Sequence, residues 1–197
     1  MKRDNAFTGL EAAIVLIAFV VVAAIFSYVM LGAGFFATQK AQEVTYAGVK
    51  QTTSNLIPGG TLYGNMTADG AESKLDMVQI SLTVPIGGQS QELTELLITF
   101  SQEGKVPYNF GYVTSVAGKP AENHGKFTLD QCSQGVNPDP KIPAVLVPPG
   151  NSCNAILYIN DGPQTGQWFQ LEIKPPVGAP TTLRKTIATG YKGGKLL

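Results

Sequence analysis

The hydrophobic and polar positions of this chain divide it into two regimes. Residues 12–37, AAIVLIAFVVVAAIFSYVMLGAGFFA, carry no charge and are apolar all round a helical wheel. A helix of that kind is buried in lipid or among other such helices. At 1.5 Å per residue the stretch reaches about 39 Å, enough to cross a hydrocarbon core of about 30 Å. From Ala37 the pattern turns amphipathic. Ala37, Ala41, Val44 and Gly48 recur at three- and four-residue spacing, with Gln39, Lys40, Gln42, Glu43 and Lys50 between them. The pattern predicts one helix from Leu10 to about Ser54, about 68 Å long. Asn55-Leu56-Ile57-Pro58-Gly59-Gly60 is expected to break it, since proline lacks the amide donor and a glycine pair ends helices.

After residue 60 the period changes. In KLDMVQISLTVPIG, apolar side chains fall at Leu75 and Met77, then shift phase to Ile80, Leu82, Val84 and Ile86. This predicts a strand with a bulge near Val78-Gln79. GGQS reads as a hairpin turn, with LTELLITFS pairing back onto the preceding strand. NFGYVTSV, GKFTLDQ, IPAVLV, NAILYIND, QWFQLEIK and TTLRKTIAT are further short strands, divided by turn-rich segments such as NPDPK, PPGN and DGPQTG. About eight strands without a second helix predict an antiparallel sandwich or barrel, and the class is α+β.

Composition sharpens the picture. Only 14% of the 197 residues are charged, against a typical value of about 25%. Fourteen basic and 14 acidic residues balance, and no basic run is present, which excludes nucleic acid as a partner class. A neutral surface suits a subunit that packs against copies of itself. Cys132 and Cys153 lie beside turn-forming sequence in the later region. Outside the cell they form a disulfide worth about 3 kcal/mol; the alternative is two buried free thiols.

Chemistry for catalysis is sparse. The one histidine, His124, lies in a Gly-, Asn- and Pro-rich loop without cysteine or carboxylate ligands nearby, and is expected to be solvated. Phosphate-loop, dinucleotide, nucleophile-elbow and zincin motifs do not occur. Asp139, Asn160 and Asp161 lie in turns, where such side chains bond the local backbone. Calcium at Asn160-Asp161-Gly162 would have one carboxylate toward the six to eight oxygens it takes, so no metal or cofactor is expected. Asn65-Met66-Thr67 is the sole glycosylation sequon, placed in the loop between helix and sandwich.

The polar leader MKRDNAFTG changes the meaning of the apolar stretch. The stretch is too long for the h-region of an ordinary secretory signal, and a cut beyond Gly34 would discard a full membrane span. A cut after Gly9 keeps the helix as the new N-terminus, and deletes Lys2, Arg3 and Asp4. Thr8-Gly9 followed by LEAAIVLIAFVVVAAIFSYVMLGAGFF resembles the class III leader and helix of type IV pilin-like proteins, and more closely that of the archaellins, the filament proteins of the archaeal flagellum. The likeness is detailed over residues 1–50 and architectural beyond them. Many archaellin leaders place Lys or Arg just before the cleavage glycine, where Phe7 and Thr8 stand here.

The resemblance implies a division into leader (1–9), assembly helix (10–57) and exported sandwich of immunoglobulin type (58–197). A prepilin-type peptidase would cut between Gly9 and Leu10. The helix would hold the precursor in the membrane, then bundle with copies through Glu11, Val15, Phe19, Val22, Phe26 and Val29. Ala12, Ala13, Ala18, Ala23, Ala24, Ser27, Gly32, Ala33 and Gly34 would let helices approach closely. Glu11 is either an acidic residue favourable in the first helical turn or, as in bacterial pilins, a partner for a neighbour's amine. The product would be an extracellular homo-oligomeric filament for swimming, with or without related subunits, reached through the export machinery and rotated by a membrane motor. Asn65 would be the glycosylation site. Two rival readings are an archaeal adhesion pilin, whose Gln- and Ser-containing motif LEAAIVLIA lacks, and a non-polymerising, membrane-anchored binding domain.

Overall fold

The computed structural model describes residues 4–67, 73–115, 123–133, 145–159 and 161–196. Two compact units emerge, Met1–Gly48 and Val49–Leu197. In the first, α1 (Asp4–Thr53) begins and runs without interruption through the expected cleavage point. Its large apolar side chains from Leu10 to Phe36 are all at least half exposed, from 50% at Val21 to 79% at Tyr28. Where the helix turns polar it still looks after its own hydroxyls. Thr38 donates to the Gly34 carbonyl (2.9 Å) and Thr45 to that of Ala41 (2.8 Å). Lys40 pairs with Glu43 at 2.6 Å, one turn along.

Among the described residues the second unit carries eleven strands: β1 (Ile57–Met66), β2 (Leu75–Thr83), β3 (Gln91–Glu92), β4 (Leu97–Gln102), β5 (Tyr108–Tyr112), β6 (Lys126–Asp130), β7 (Leu146–Val147), β8 (Ser152–Tyr158), β9 (Trp168–Lys174), β10 (Thr181–Thr186) and β11 (Gly194–Leu196). Nine form one hydrogen-bonded order, β10-β9-β4-β5-β6-β8-β2-β1-β11, and β3 pairs with β7. Among the described strands all pairings are antiparallel except β5 with β6. That parallel pair joins two faces of one core, in which Ile80, Leu82 and Leu157 meet Ile98, Phe100, Phe169 and Leu171. The aromatic residues divide accordingly: Phe110 and Phe169 are buried, Tyr108 and Tyr112 pack partly against the core, and Tyr63 stays exposed.

Several expectations change. Pro58-Gly59-Gly60 does not end the helix: α1 stops at Thr53, and these residues open β1, where Pro58 opposes Leu82 and Gly59 opposes Ser81. Proline is tolerated at a strand's start, and β1 gains two unmatched residues, Gly60 and Thr61, just beyond. The phase shift in β2 falls at Asp76, not Val78-Gln79: Asn65 opposes Met77 while Met66 opposes Leu75. Val78 is therefore buried and Met77 is not.

The LTELLITFS segment does not pair with the strand before it. Leu93–Glu95 forms a 3-10 turn, and β4 pairs with β5 and β9 while β2 pairs with β1 and β8. Both strands have strong apolar alternation, so each finds a partner on its own face of the core rather than in a local hairpin. IPAVLV contributes only β7 within the described residues, and β11 lies in a glycine-rich tail whose pattern signals no strand.

Candidate assembly site

The residues expected to build the assembly face share one side of α1. Val15, Phe19, Val22, Phe26 and Val29 follow a three- and four-residue spacing, and all are exposed in the protomer. Glu11, Ala12, Val15 and Phe19 border a shared shallow groove. Gly9 and Leu10 are helical and exposed, within a span long and apolar enough to cross a membrane.

At the other end of α1 the structure holds a feature that sequence reasoning missed. The chain leaves the helix at Ser54, which is fully buried, with its amide (3.1 Å) and hydroxyl (2.5 Å) both bonded to the Lys50 carbonyl. The Ser54 carbonyl accepts the side-chain amide of Gln91, itself 3% exposed, at 3.0 Å. A buried amide aimed at a helix-end carbonyl satisfies an acceptor that would otherwise cost about 1–3 kcal/mol. The Asn55 side-chain oxygen receives the Ala179 amide (2.8 Å), and the Thr181 hydroxyl donates to the Leu56 carbonyl (3.1 Å). Gly178 passes so closely, at φ +128°, that a Cβ there would lie 2.5 Å from the Ser54 oxygen. Residues 54–56 are thus held by two separate segments, one at Gln91 and one at residues 178–181. A lone glutamine in a polar stretch gave no sign of this.

The remaining sites are scattered over the sheet domain. Asn65 is exposed near the end of β1, on a strand and not in the expected loop. The Cys132 and Cys153 sulfurs stand at bonding distance, with Cα atoms 4.0 Å apart, linking the segment after β6 to the start of β8. Tyr191 bolts the chain's end to β1, its hydroxyl donating to the Gly64 carbonyl (2.9 Å) and accepting the Gly64 amide (3.2 Å).

His124 is not a freely solvated loop residue: its Nδ1 lies 2.6 Å from the Ile159 carbonyl, an oxygen that only accepts, so Nδ1 carries the proton. Asp161 is occupied by cations of the chain itself. One carboxylate oxygen meets the Lys74 ammonium at 2.7 Å and the other meets Lys105, which together hold its pKa down from 3.8 to about 2. That arrangement leaves the Asp161 carboxylate engaged by two ammonium groups. Asp139 and Asn160 fall outside the described residues. Among the described residues no group of three or more histidine, cysteine or carboxylate side chains is placed to hold a metal.

An exposed apolar helix followed by a β domain with its own buried core is a geometry for polymerisation, and comparison with known proteins agrees. The archaeal-type flagellin family is matched over residues 6–185. Probable flagellin 1 of Archaeoglobus fulgidus is 39% identical over 188 residues, which cover 91% of this chain and 88% of that protein. Probable flagellin 2 of the same organism is 35% identical, with 97% and 94% covered. The solved archaeal flagellum of Methanospirillum hungatei strain JF1 is similar at a TM-score of 0.69 and 40% identity, over 96% of this chain and 99% of that one. With helix, sheet domain and sequence all matched over nearly its full length, the chain belongs to the archaeal-type flagellin family.

Proposed function

We propose that this chain is a structural subunit of the archaeal flagellar filament and that α1 is the element through which it polymerises. The observation that carries the reading is the unbroken helix whose large apolar side chains from Leu10 to Phe36 are all exposed in the protomer. Apolar surface on that scale marks an interaction site. Lipid covers it in the precursor, and helices of other copies cover it in the filament. Exchange of lipid for helix yields little net hydrophobic gain, so close packing at Ala12, Ala13, Ala18, Ala23, Ala24, Gly32 and Gly34 drives assembly.

The finer reading has four parts. A prepilin-type peptidase removes residues 1–9, freeing Leu10 as the new N-terminus beside Glu11. The filament is extracellular, and the subunit meets the export and motor machinery at the membrane. The Cys132–Cys153 bond forms in that oxidising setting. Asn65, exposed on β1, is open to glycosylation.

The test is to shear filaments from cells, image them by electron microscopy and sequence the subunit's N-terminus. Filaments whose subunits begin LEAAIV, and loss of swimming on gene deletion, are the expected results. Subunits beginning at Met1 would overturn the leader, and a deletion strain that swims but no longer attaches would transfer the chain to adhesion.

A further inference from the structure

Outside α1, the two most exposed large apolar side chains among the described residues are Ile86, 92% exposed, and Val106, 86% exposed. Ile86 stands on a braced turn. The Gly88 amide bonds the Pro85 carbonyl (3.1 Å), and the preceding residue, buried Val84, exchanges hydrogen bonds with the Gly150–Asn151 segment at 2.8 and 3.0 Å. The side chain is held outward by a backbone anchored in the core. Beside it opens a cleft of about 400 Å³ lined by Thr52, Thr53, Asn55, Ile57, Pro85 and Ile86, with no ionisable group on its walls. Ile57 is itself half exposed there.

We propose that this cleft receives apolar side chains from α1 of a second copy of the chain, so that the sheet domain grips a neighbour's helix. The inference rests on the filament reading and goes beyond helix-to-helix packing. Two observations select the occupant. One wall of the cleft is the last turn of α1 (Thr52 and Thr53), so the cleft borders the element through which, on the filament reading, copies of the chain meet. Its uncharged lining also calls for an uncharged guest, and residues 12–37 are the long uncharged apolar surface of this molecule. Val106 is a poorer guest: it sits beside Lys105, which is engaged with Asp161, and beyond the opposite end of β2.

The test places a photoreactive phenylalanine analogue at position 86 of the full chain, assembles filaments, irradiates them and maps the crosslinked peptides. Ile86 is so exposed that the substitution leaves the fold intact. Crosslinks to residues 10–36 of another subunit are expected. Crosslinks to the Val106 turn, or to no second subunit, would overturn the proposal while leaving the filament reading standing. Failure of the native chain to form filaments would overturn both. As a second measurement, filaments of Ile86→Ser should dissociate at lower temperature than native ones while the unassembled subunit melts unchanged, and Ile86→Val should behave as native. Ile86→Ser filaments as heat-resistant as native would also reject the contact.

Discussion

Asp161 shows how much one side chain can tie together. It draws Lys74, ahead of β2, and Lys105, after β4, onto the loop between β8 and β9, and its carbonyl accepts Gln102 at 2.9 Å. The flanking Gly162 lies so near the Leu75 carbonyl that any Cβ would overlap it. Because the two ammonium groups depress the Asp161 pKa from 3.8 to about 2, folding favours the ionised form. That contribution is complete above about pH 4 and is lost as pH falls toward 2. The carboxylate is half exposed, so it is worth no more than about 1 kcal/mol. Asp161→Asn should lower the melting temperature slightly at pH 7, with the gap to native closing between pH 4 and 2. A gap constant across that range would refute the account.

Gly178→Ala is the harsher change at this scale. The φ of +128° alone costs a side chain about 1–3 kcal/mol, and the Ser54 oxygen at 2.5 Å leaves no room to relax. Urea unfolding should show a loss at or above that range. None of this was legible in the sequence. Asp161 read as an ordinary turn residue and Gly178 drew no reading, because both owe their roles to partners far along the chain, Lys74 and Lys105 for the first and Ser54 for the second.

At the scale of elements, the sequence was most informative where a single physical demand ruled a long stretch. Twenty-odd uncharged apolar residues admit few structures, and α1 appears where expected. Strands β5, β6, β8, β9 and β10 also lie where alternation placed them. Pairing was another matter. Apolar alternation fixes which face of a strand is buried but not which neighbour it meets, so β2 and β4 were joined wrongly. The Pro58-Gly59-Gly60 signal misled because a helix can end without a breaker when its last carbonyls are met from outside, as Gln91 meets Ser54. Lengthening residues 58–60 should therefore disturb β1 and the fold, where a linker would have absorbed it.

The decisive element-level prediction concerns Val21, midway along the exposed stretch. Val21→Asp introduces a charge that costs about 2.5–3.5 kcal/mol at a helix centre even on membrane-insertion scales. A core of packed helices offers it no water, and the penalty recurs in every subunit. Cells carrying only this variant should make folded subunits and no filaments. Normal filaments on electron micrographs would mean that the stretch is not buried among its copies.

For the whole molecule, stability is concentrated in the sheet domain. Its core runs through both faces, and Cys132–Cys153 fastens neighbouring strands β6 and β8. Reducing that bond should cost about 3 kcal/mol on the loop-entropy account. For a domain of this size that lowers the melting temperature by roughly 6–12 °C. Calorimetry of native filaments and subunits with and without reductant measures it, and an unchanged melting temperature would mean that the bond is absent or idle.

The return of β11 to β1 sets a schedule for synthesis. Leu62–Gly64 find one of their two neighbours only in Gly194–Leu196, with Tyr191 bonded to Gly64 just before. Leu62–Gly64 of β1 therefore keep one open edge until Gly194–Leu196 have been made. At a ribosomal pace of about 5–20 residues per second, the apolar helix is finished on the order of 10 s before that edge is closed. A hydrophobic segment left in water that long must be claimed early by some other medium. Synthesis of α1 well ahead of β11 gives the apolar helix time to be covered before the sheet is complete.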